Sequence, residues 1–472
     1  MSSFECRPDV YEREAQYADL KAYVLAETGF AYYADRDDDF LARVRTRMSE
    51  LGLVRVGDYL EFLRGHRGGE PELEVLIERL TVGETHFFRH QEIFDALRDV
   101  VGPTLLQDNR SGPVRIWSAA CSTGAEAYSV SISLRREVGI GHSARPVSIL
   151  GTDVNRSALR RAKRGEYTEW DLRGMPEQFR PTCFVHREGN WVIRPEFQEG
   201  VEFRYHNLVR HPYPSLVNNL IDLDLILCRN VLIYFDEVTV RRVVGRLFDC
   251  LADGGWLLVG HAEPSIALFA AFETVNAPGA VLYRKTVGTS VGRPGKPVVL
   301  KRASPRANEM PSARPTATAR AGRLRAAPRP ARRESASPSA DRDAWLRRVR
   351  ESADRGDLRA VDGHCTARAA ADPLDAAPYL YLALVAEQRG RYPEAVALIR
   401  KTLYADRSIA VAHYHLGILL RRSGELAAAR LAYQNVGRHL AASERDPVPY
   451  ADGLTVEDIR KLVALELAEL GP

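Results

Sequence analysis

Two acidic side chains and a run of small residues mark where this chain can do chemistry. Arg115-Ile-Trp-Ser-Ala-Ala-Cys-Ser-Thr-Gly-Ala-Glu-Ala-Tyr-Ser-Val-Ser-Ile132 passes from an apolar strand through a tight turn into a helix. Ser118 to Gly124 holds nothing larger than Cys or Thr, so backbone can close on a ligand. Glu126 stands at the helix entrance. A helix N-terminus ordinarily draws phosphate, but a carboxylate beside it repels pyrophosphate and suits a ligand bearing positive charge or hydroxyls. Gly124 is the only glycine of the turn, so the dinucleotide fingerprint G-x-G-x-x-G is missing; the competing reading is an ordinary strand-to-helix connection. The second acid, Asp153, ends the strand Val147-Ser-Ile-Leu-Gly-Thr-Asp153. At the tip of a second strand it either accepts both hydroxyls of a ribose or caps the next helix, and Asn155 is the better cap.

Further polar residues fall at the same rim. Thr81-Val-Gly-Glu-Thr-His-Phe-Phe-Arg89 places two aromatics suited to a domain junction before Arg89, which offers a planar fork to a carboxylate or makes a surface salt bridge. Val201 to Leu208 reads as a strand ending in Asn207, whose amide either meets an adenine edge or holds a turn. Ile221 to Cys228 is a central strand followed by Arg229 and Asn230, with Tyr234 close behind. Ligands of open α/β sheets lie beyond the carboxyl ends of the strands. Tyr234 reads equally as a buried tyrosine at a strand end.

These residues need a sheet to bring them together. From 114 to 285 apolar strands alternate with helical segments, the pattern of a parallel sheet covered by helices. Asp236 opens a helix expected to stop at Gly254-Gly255, before a strand Trp256 to Gly260. Phe272 to Val275 and Ala280 to Arg284 are joined through Pro278-Gly279, too short a link for a crossover, so the last strand pairs antiparallel. That closure resembles S-adenosylmethionine-dependent methyltransferases rather than dehydrogenases. Cys183 to Ile193 reads as a hairpin about Glu-Gly-Asn in an inserted β-flap.

Residues 1 to about 90 read as helical. Leu73, Leu76, Ile77 and Leu80 share one face after Pro71, and Phe40, Leu41, Val44, Met48 and Leu51 form another stripe. Arg43, Arg45 and Arg47 point largely away, as a solvated face or as a docking surface for an acidic helix.

The chain of 472 residues predicts several domains. No apolar run approaches the roughly 20 residues of a membrane span, and the start Met-Ser-Ser-Phe-Glu-Cys lacks a signal pattern; the expected location is the cytoplasm, without membrane insertion. Six scattered cysteines with no C-x-x-C pair suggest thiols rather than zinc or disulfides. Residues 286 to 340 carry twelve Lys or Arg against Glu309 and Glu334, in a chain whose net charge is only +4. Rich in Pro, Ser and Ala, this stretch reads as a disordered basic linker. No aromatic interleaves its arginines, so a nucleic-acid partner is not expected. After it, Gly356, Gly390 and Gly424 recur every 34 residues, as do Trp345, Tyr379 and His413, and Val361, Ala395 and Ala429. This looks like three tetratricopeptide repeats over 341–472, with Leu454 to Leu470 as a capping helix and protein partners expected.

Four motifs in order, Glu84-Thr-His-Phe-Phe-Arg89, Trp117 to Ser129, Gly151-Thr-Asp153 and Cys228-Arg-Asn-Val-Leu-Ile-Tyr-Phe-Asp236, resemble the chemotaxis receptor glutamate methyltransferases, the CheR family. The resemblance implies an α/β Rossmann-like methyltransferase sheet over 91–285, with a small β insertion about 180–204. An N-terminal all-α domain over 1–90 precedes it, and the repeat solenoid follows the linker. It implies S-adenosylmethionine as cofactor, S-adenosylhomocysteine as product, no metal, and chemoreceptor cytoplasmic helices as substrate. On the matching positions, Thr85 and Arg89 contact the cofactor's amino-acid end with Glu126 nearby, and Asp153 holds the ribose. Asn207 and Leu208 border the adenine, while Arg229 and Asn230 line the pocket floor. Gly83 replaces an asparagine frequent in the family, and the family's Gly-Glu-Glu-Pro-Tyr becomes Gly124-Ala-Glu-Ala-Tyr128. A glutamate side chain, with a reference pKa of about 4.3, is ionised near neutrality, so attack on a sulfonium methyl needs no general base. Arg89 and Tyr234 are the residues expected to align it. The alternative is a cofactor-binding adaptor without turnover, recruiting partners through its repeats.

Overall fold

The computed structural model describes residues 15–65, 69–81, 83–107, 110, 112–139, 145–286, 298–299, 338–441 and 446–470. Among the described residues the N-terminal body holds the α-helices α1 (Ala15–Thr28), α2 (Asp37–Glu50), α3 (Val56–Arg64) and α4 (Gly69–Leu80). Both predicted stripes face one core: Phe40, Leu41, Val44 and Met48 pack with Leu73, Leu76, Ile77 and Leu80, while Leu51 lies at its margin. The arginines between them are not a free face. Arg47 forks onto the carboxylate of buried Glu72, which also accepts the Tyr59 hydroxyl at 2.7 Å, and Arg43 Nε reaches Asp39 at 3.0 Å. A buried acid left without its arginine costs about 3–5 kcal/mol, so Arg47 is an internal strut.

The central body is built on a sheet of order β11-β9-β10-β8-β7-β1-β2-β6. Its strands are β1 (Val114–Ala119), β2 (Val147–Asp153), β6 (Val201–Tyr205), β7 (Leu223–Cys228), β8 (Leu251–Val259), β9 (Glu273–Ala277) and β10 (Ala280–Arg284). The two-residue strand β11 (Val298–Val299) lies inside the stretch expected to be linker. β6, β2, β1, β7 and β8 run parallel, and β10 is antiparallel to both β8 and β9, as the short Pro278-Gly279 link requires. Covering helices are α5 (Gln91–Ala96), α6 (Ala125–Ser133), α7 (Arg156–Arg164) and α8 (Glu237–Cys250). Asp236 caps α8 by accepting Thr239 N at 2.6 Å, but the helix ends at Cys250, not at Gly254-Gly255; Leu251 already pairs with Leu223 of β7. The apolar run there satisfies a strand, which buries both faces in the sheet centre.

The insertion is a second sheet of β3 (Glu166–Tyr167), β4 (Phe184–Arg187) and β5 (Asn190–Ile193), turned at Glu188 and Gly189 with φ of 47° and 82°. It therefore starts before residue 180. The expected stretch to 204 includes β6, which belongs to the main sheet because Val201 to Tyr205 pair with Ile149 to Asp153.

The C-terminal helices are α9 (Pro338–Asp354), α10 (Leu358–Ala371), α11 (Ala376–Gln388), α12 (Tyr392–Ala405), α13 (Ala410–Arg422), α14 (Leu426–Ala441) and α15 (Val456–Glu469). Gly356, Gly390 and Gly424 end the first helix of each pair at φ of 73°, 71° and 81°, a left-handed turn that glycine adopts without strain. That is why they recur at the repeat spacing. Among the described residues no helix is long and apolar enough to cross a membrane, and Cys121, Cys183, Cys228, Cys250 and Cys365 are buried free thiols.

Candidate active site

The strand order puts β1 between β2 and β7, and connections leave in opposite directions on the two sides of β1. A crevice opens at such a switch point beyond the strand ends. Three predicted segments end there: the turn after β1, Asp153 at the tip of β2, and Arg229 and Asn230 after β7. The cleft they line is closed from above by Phe30, Tyr33, Leu80 and Thr81 of the N-terminal body, and Gly83, Thr85, Arg89 and Tyr234 complete its wall.

The turn after β1 is tightly wound, with Ala120, Ser122 and Gly124 at φ of 61°, 50° and 82°. Ala120, Cys121 and Ser122 face the cleft. Gly124 is small for another reason than ligand approach, since a Cβ there would sit 2.7 Å from Ala162 Cβ and 2.8 Å from the Phe203 ring. Close packing of α6 on α7 and the sheet requires glycine.

Asp153 is 8% exposed. Its two oxygens accept Ser122 N and Asn155 N, each at 2.8 Å. Burial pushes its carboxyl above the ordinary range against the pull of those backbone N–H groups. Val154 N–H also leans on this carboxylate, which lines the cleft, where its remaining acceptor capacity can meet a hydroxyl. The capping alternative is resolved: Asn155 Oδ1 accepts Ala158 N at 2.8 Å and caps α7.

Glu126 is paired more closely than expected. Its carboxylate accepts Ser118 Oγ at 2.7 Å and Arg229 Nη1 at 2.9 Å. Arg229 is fixed in turn, donating to the Arg89 carbonyl at 2.5 Å beside His90 Nδ1 at 3.2 Å, with its side chain 2% exposed. The pair puts both signs of charge side by side, which suits a zwitterionic amino-acid group better than a lone cation. Arg89 donates from Nη1 to the Glu84 carbonyl at 2.7 Å. Phe87 and Phe88 behind it are buried and fill the junction with the insertion, Phe87 against Tyr167 and Phe184 at 4.7 and 5.1 Å.

Asn207 and Leu208 are not brought to the cleft. The Asn207 amide donates to Glu27 O at 3.1 Å, and its oxygen accepts Val209 N and Arg210 N; Leu208 packs into the core below the sheet. The turn reading describes the Asn207 oxygen, which accepts two backbone N–H groups, while the amide nitrogen gives one of its two N–H bonds to Glu27.

Two contributions escaped sequence reasoning. Glu263 is buried and accepts the N–H groups of Asn230, Val231, Leu232 and Gly260 at 2.9, 2.9, 2.9 and 2.5 Å. This single acid moulds the turn that carries Asn230 and Tyr234, and burial holds its carboxyl above the usual range. Its signal was an acid four residues beyond a strand. The other contribution is the aromatic roof, where Tyr32 and Phe30 meet the Tyr234 ring edge-on at 5.7 and 6.4 Å. No local pattern ties those residues to Tyr234. Between them, burial and neighbouring arginines pull His86 down to about 4, so this cleft residue is neutral at pH 7.

Residues 83–280 match the SAM-binding domain of CheR methyltransferases and residues 15–81 their all-alpha domain. The chain is 31% identical to the probable biofilm formation methyltransferase WspC of Pseudomonas aeruginosa over 401 residues, 84% of this chain and 92% of that one. It is 33% identical to chemotaxis protein methyltransferase 1 of the same organism, over 52% of this chain and 88% of that one. The chemotaxis protein methyltransferase of Listeria monocytogenes is 36% identical, over 43% and 73%. Fold, cleft and likeness together define an S-adenosylmethionine-dependent methyltransferase. Within that class, the chain belongs to the CheR methyltransferase family.

Proposed function

We propose that this protein esterifies glutamate side chains on the cytoplasmic helices of chemoreceptors. The observation that carries the reading is the convergence of Arg89 and Tyr234 on the cleft that the Asp153 carboxylate lines, held there by backbone N–H groups. Asp153 is suited to the ribose of S-adenosylmethionine, the Glu126–Arg229 pair to its amino-acid group. When bound, the cofactor supplies a methyl group activated on a sulfonium.

The substrate carboxylate is already ionised, so the new oxygen–carbon bond forms as the carbon–sulfur bond breaks and no proton moves. The work of this chain is alignment. Arg89 and Tyr234 hold the carboxylate in line, and positioning of this kind supplies on the order of 7–11 kcal/mol at its best. Phe30, Tyr33 and Tyr234 exclude water from the methyl. The adaptor reading is not favoured: its support was a cofactor contact missing at Gly83, and the relatives that this chain resembles are methyltransferases.

Incubation of the purified chain with methyl-labelled cofactor and receptor-bearing membranes tests this. Base-labile label on receptor bands, abolished by Glu→Gln changes on the receptor, is expected; label absent from every receptor tested overturns it. Arg89→Lys, which keeps charge but loses the planar fork, should lower kcat by about 100-fold.

A further inference from the structure

The C-terminal helices are buried unevenly. Eleven of thirteen residues of α11 and ten of thirteen of α13 are buried, against three of fourteen in α12 and five of sixteen in α14. A helix pair standing alone buries one stripe of each partner. The first helices are covered on a second side as well, and that side is the face such arrays ordinarily offer to ligands.

What covers it is the central body. Glu387 at the end of α11 accepts Asn219 Nδ2 at 3.0 Å across the seam and pairs with His415 Nδ1 of α13 at 2.7 Å, with both Glu387 and His415 buried. Arg422 reaches Glu202 of β6 at 3.1 Å, Arg115 donates to Gln388 at 3.2 Å, and Ser215 donates to Asp452 at 2.8 Å. Leu216, Val217 and Ile221 from the β6–β7 connection share one continuous apolar core with Leu380, Leu384 and Val411. That connection contains no helix among residues 206–222. In a parallel sheet the crossover ordinarily covers the face, and here the repeats do so. The capping helix α15 extends the seam, with Lys163 of α7 at 2.8 Å from Glu469, and Lys461 at 3.8 Å from Glu74 of α4.

We propose that the first-helix face of the repeats is an intramolecular docking surface whose occupant is the 206–222 connection and the β6 edge of this chain's own methyltransferase domain. The repeats are then a third wall of the central body, and their groove is closed to a receptor tail. The tether does not hold the two halves together; the seam does. This holds whatever ligand the cleft takes.

Insertion of a specific protease site between residues 300 and 337 of the full chain allows the link to be cut in the purified protein. On size exclusion at micromolar concentration, both fragments should emerge in one peak; separate elution of the wild-type fragments overturns the proposal. Glu387→Lys and, independently, Asn219→Asp should weaken association of the cut halves by about 100-fold, since each sets like charges or an unpaired charge in the buried seam. Tyr404→Ser, on the outer helices where Tyr404 is 89% exposed, should leave the peak intact. Undiminished association in both seam variants, each checked as folded by circular dichroism, overturns the docking face.

Discussion

At the seam between the N-terminal helices and the sheet, Asp153 receives only backbone N–H groups and keeps acceptor capacity facing a cleft. At the seam between the sheet and the repeats, Glu387 pairs with His415 and Asn219, and Glu202 with Arg204 and Arg422. Asp153 and Glu387 are both buried, at 8% and 5% exposure. The difference is what faces them: Glu387 and Glu202 meet side chains of the opposite body, while Asp153 meets backbone N–H groups at the wall of a cleft. Burial of an acid therefore does not by itself mark a site. The mark is an acid held by backbone N–H groups at the wall of a cleft, rather than by side chains across a packed seam.

That contrast can be broken most sharply at Asp153. Asp153→Ala should weaken S-adenosylhomocysteine binding by about 100-fold, near 3 kcal/mol, read by calorimetry, while the fold survives. Glu387→Ala should do the reverse. It strands His415 and Asn219 in the closed seam and should cost about 3 kcal/mol of stability in denaturant melts, with cofactor affinity within about twofold. If both variants lose affinity equally, the two seams are not distinct.

A pH series sharpens the same point. The Asp153 carboxyl lies above its ordinary value through burial, and the proposed bonds to the ribose hydroxyls need its ionised form. Affinity for S-adenosylhomocysteine should therefore be full near neutrality and fall as pH drops through that raised value, beginning above the reference of about 3.9. In the ligand-free protein the sign is opposite: a raised acid costs stability while ionised, and protonation relieves it. Asp153→Asn should flatten the binding profile. The smallest effect is expected at Gly83, where open space admits a side chain. Gly83→Asn should tighten cofactor binding a few-fold, about 0.5–1.5 kcal/mol for one added hydrogen bond.

Much of the cleft was legible because it sits at strand ends, where local sequence announces itself. The small-residue turn, the Asp at the tip of β2 and Arg229-Asn230 after β7 each follow an apolar run that has to be a strand. Asn207 is also a polar residue after a strand, but β6 stands at the sheet's edge rather than at the switch point, and Asn207 is not among the residues that line the cleft. Glu263 and the Phe30–Tyr32 roof were illegible, since they act on residues 31 to 204 positions away, and no spacing rule reaches that far.

The sequence by itself determined the elements: the alternation that makes the sheet, the antiparallel closure through Pro278-Gly279, and the glycines that turn each helix pair. It did so because hydrophobic period and backbone conformational preference are local quantities. Tertiary structure alone decided which carboxylates line a cleft and which are paired across a seam, that Glu126 is matched by Arg229, and that the repeats lie against the sheet. Those outcomes depend on which donors arrive in space, and a chain's neighbours in space are set by packing, not by order.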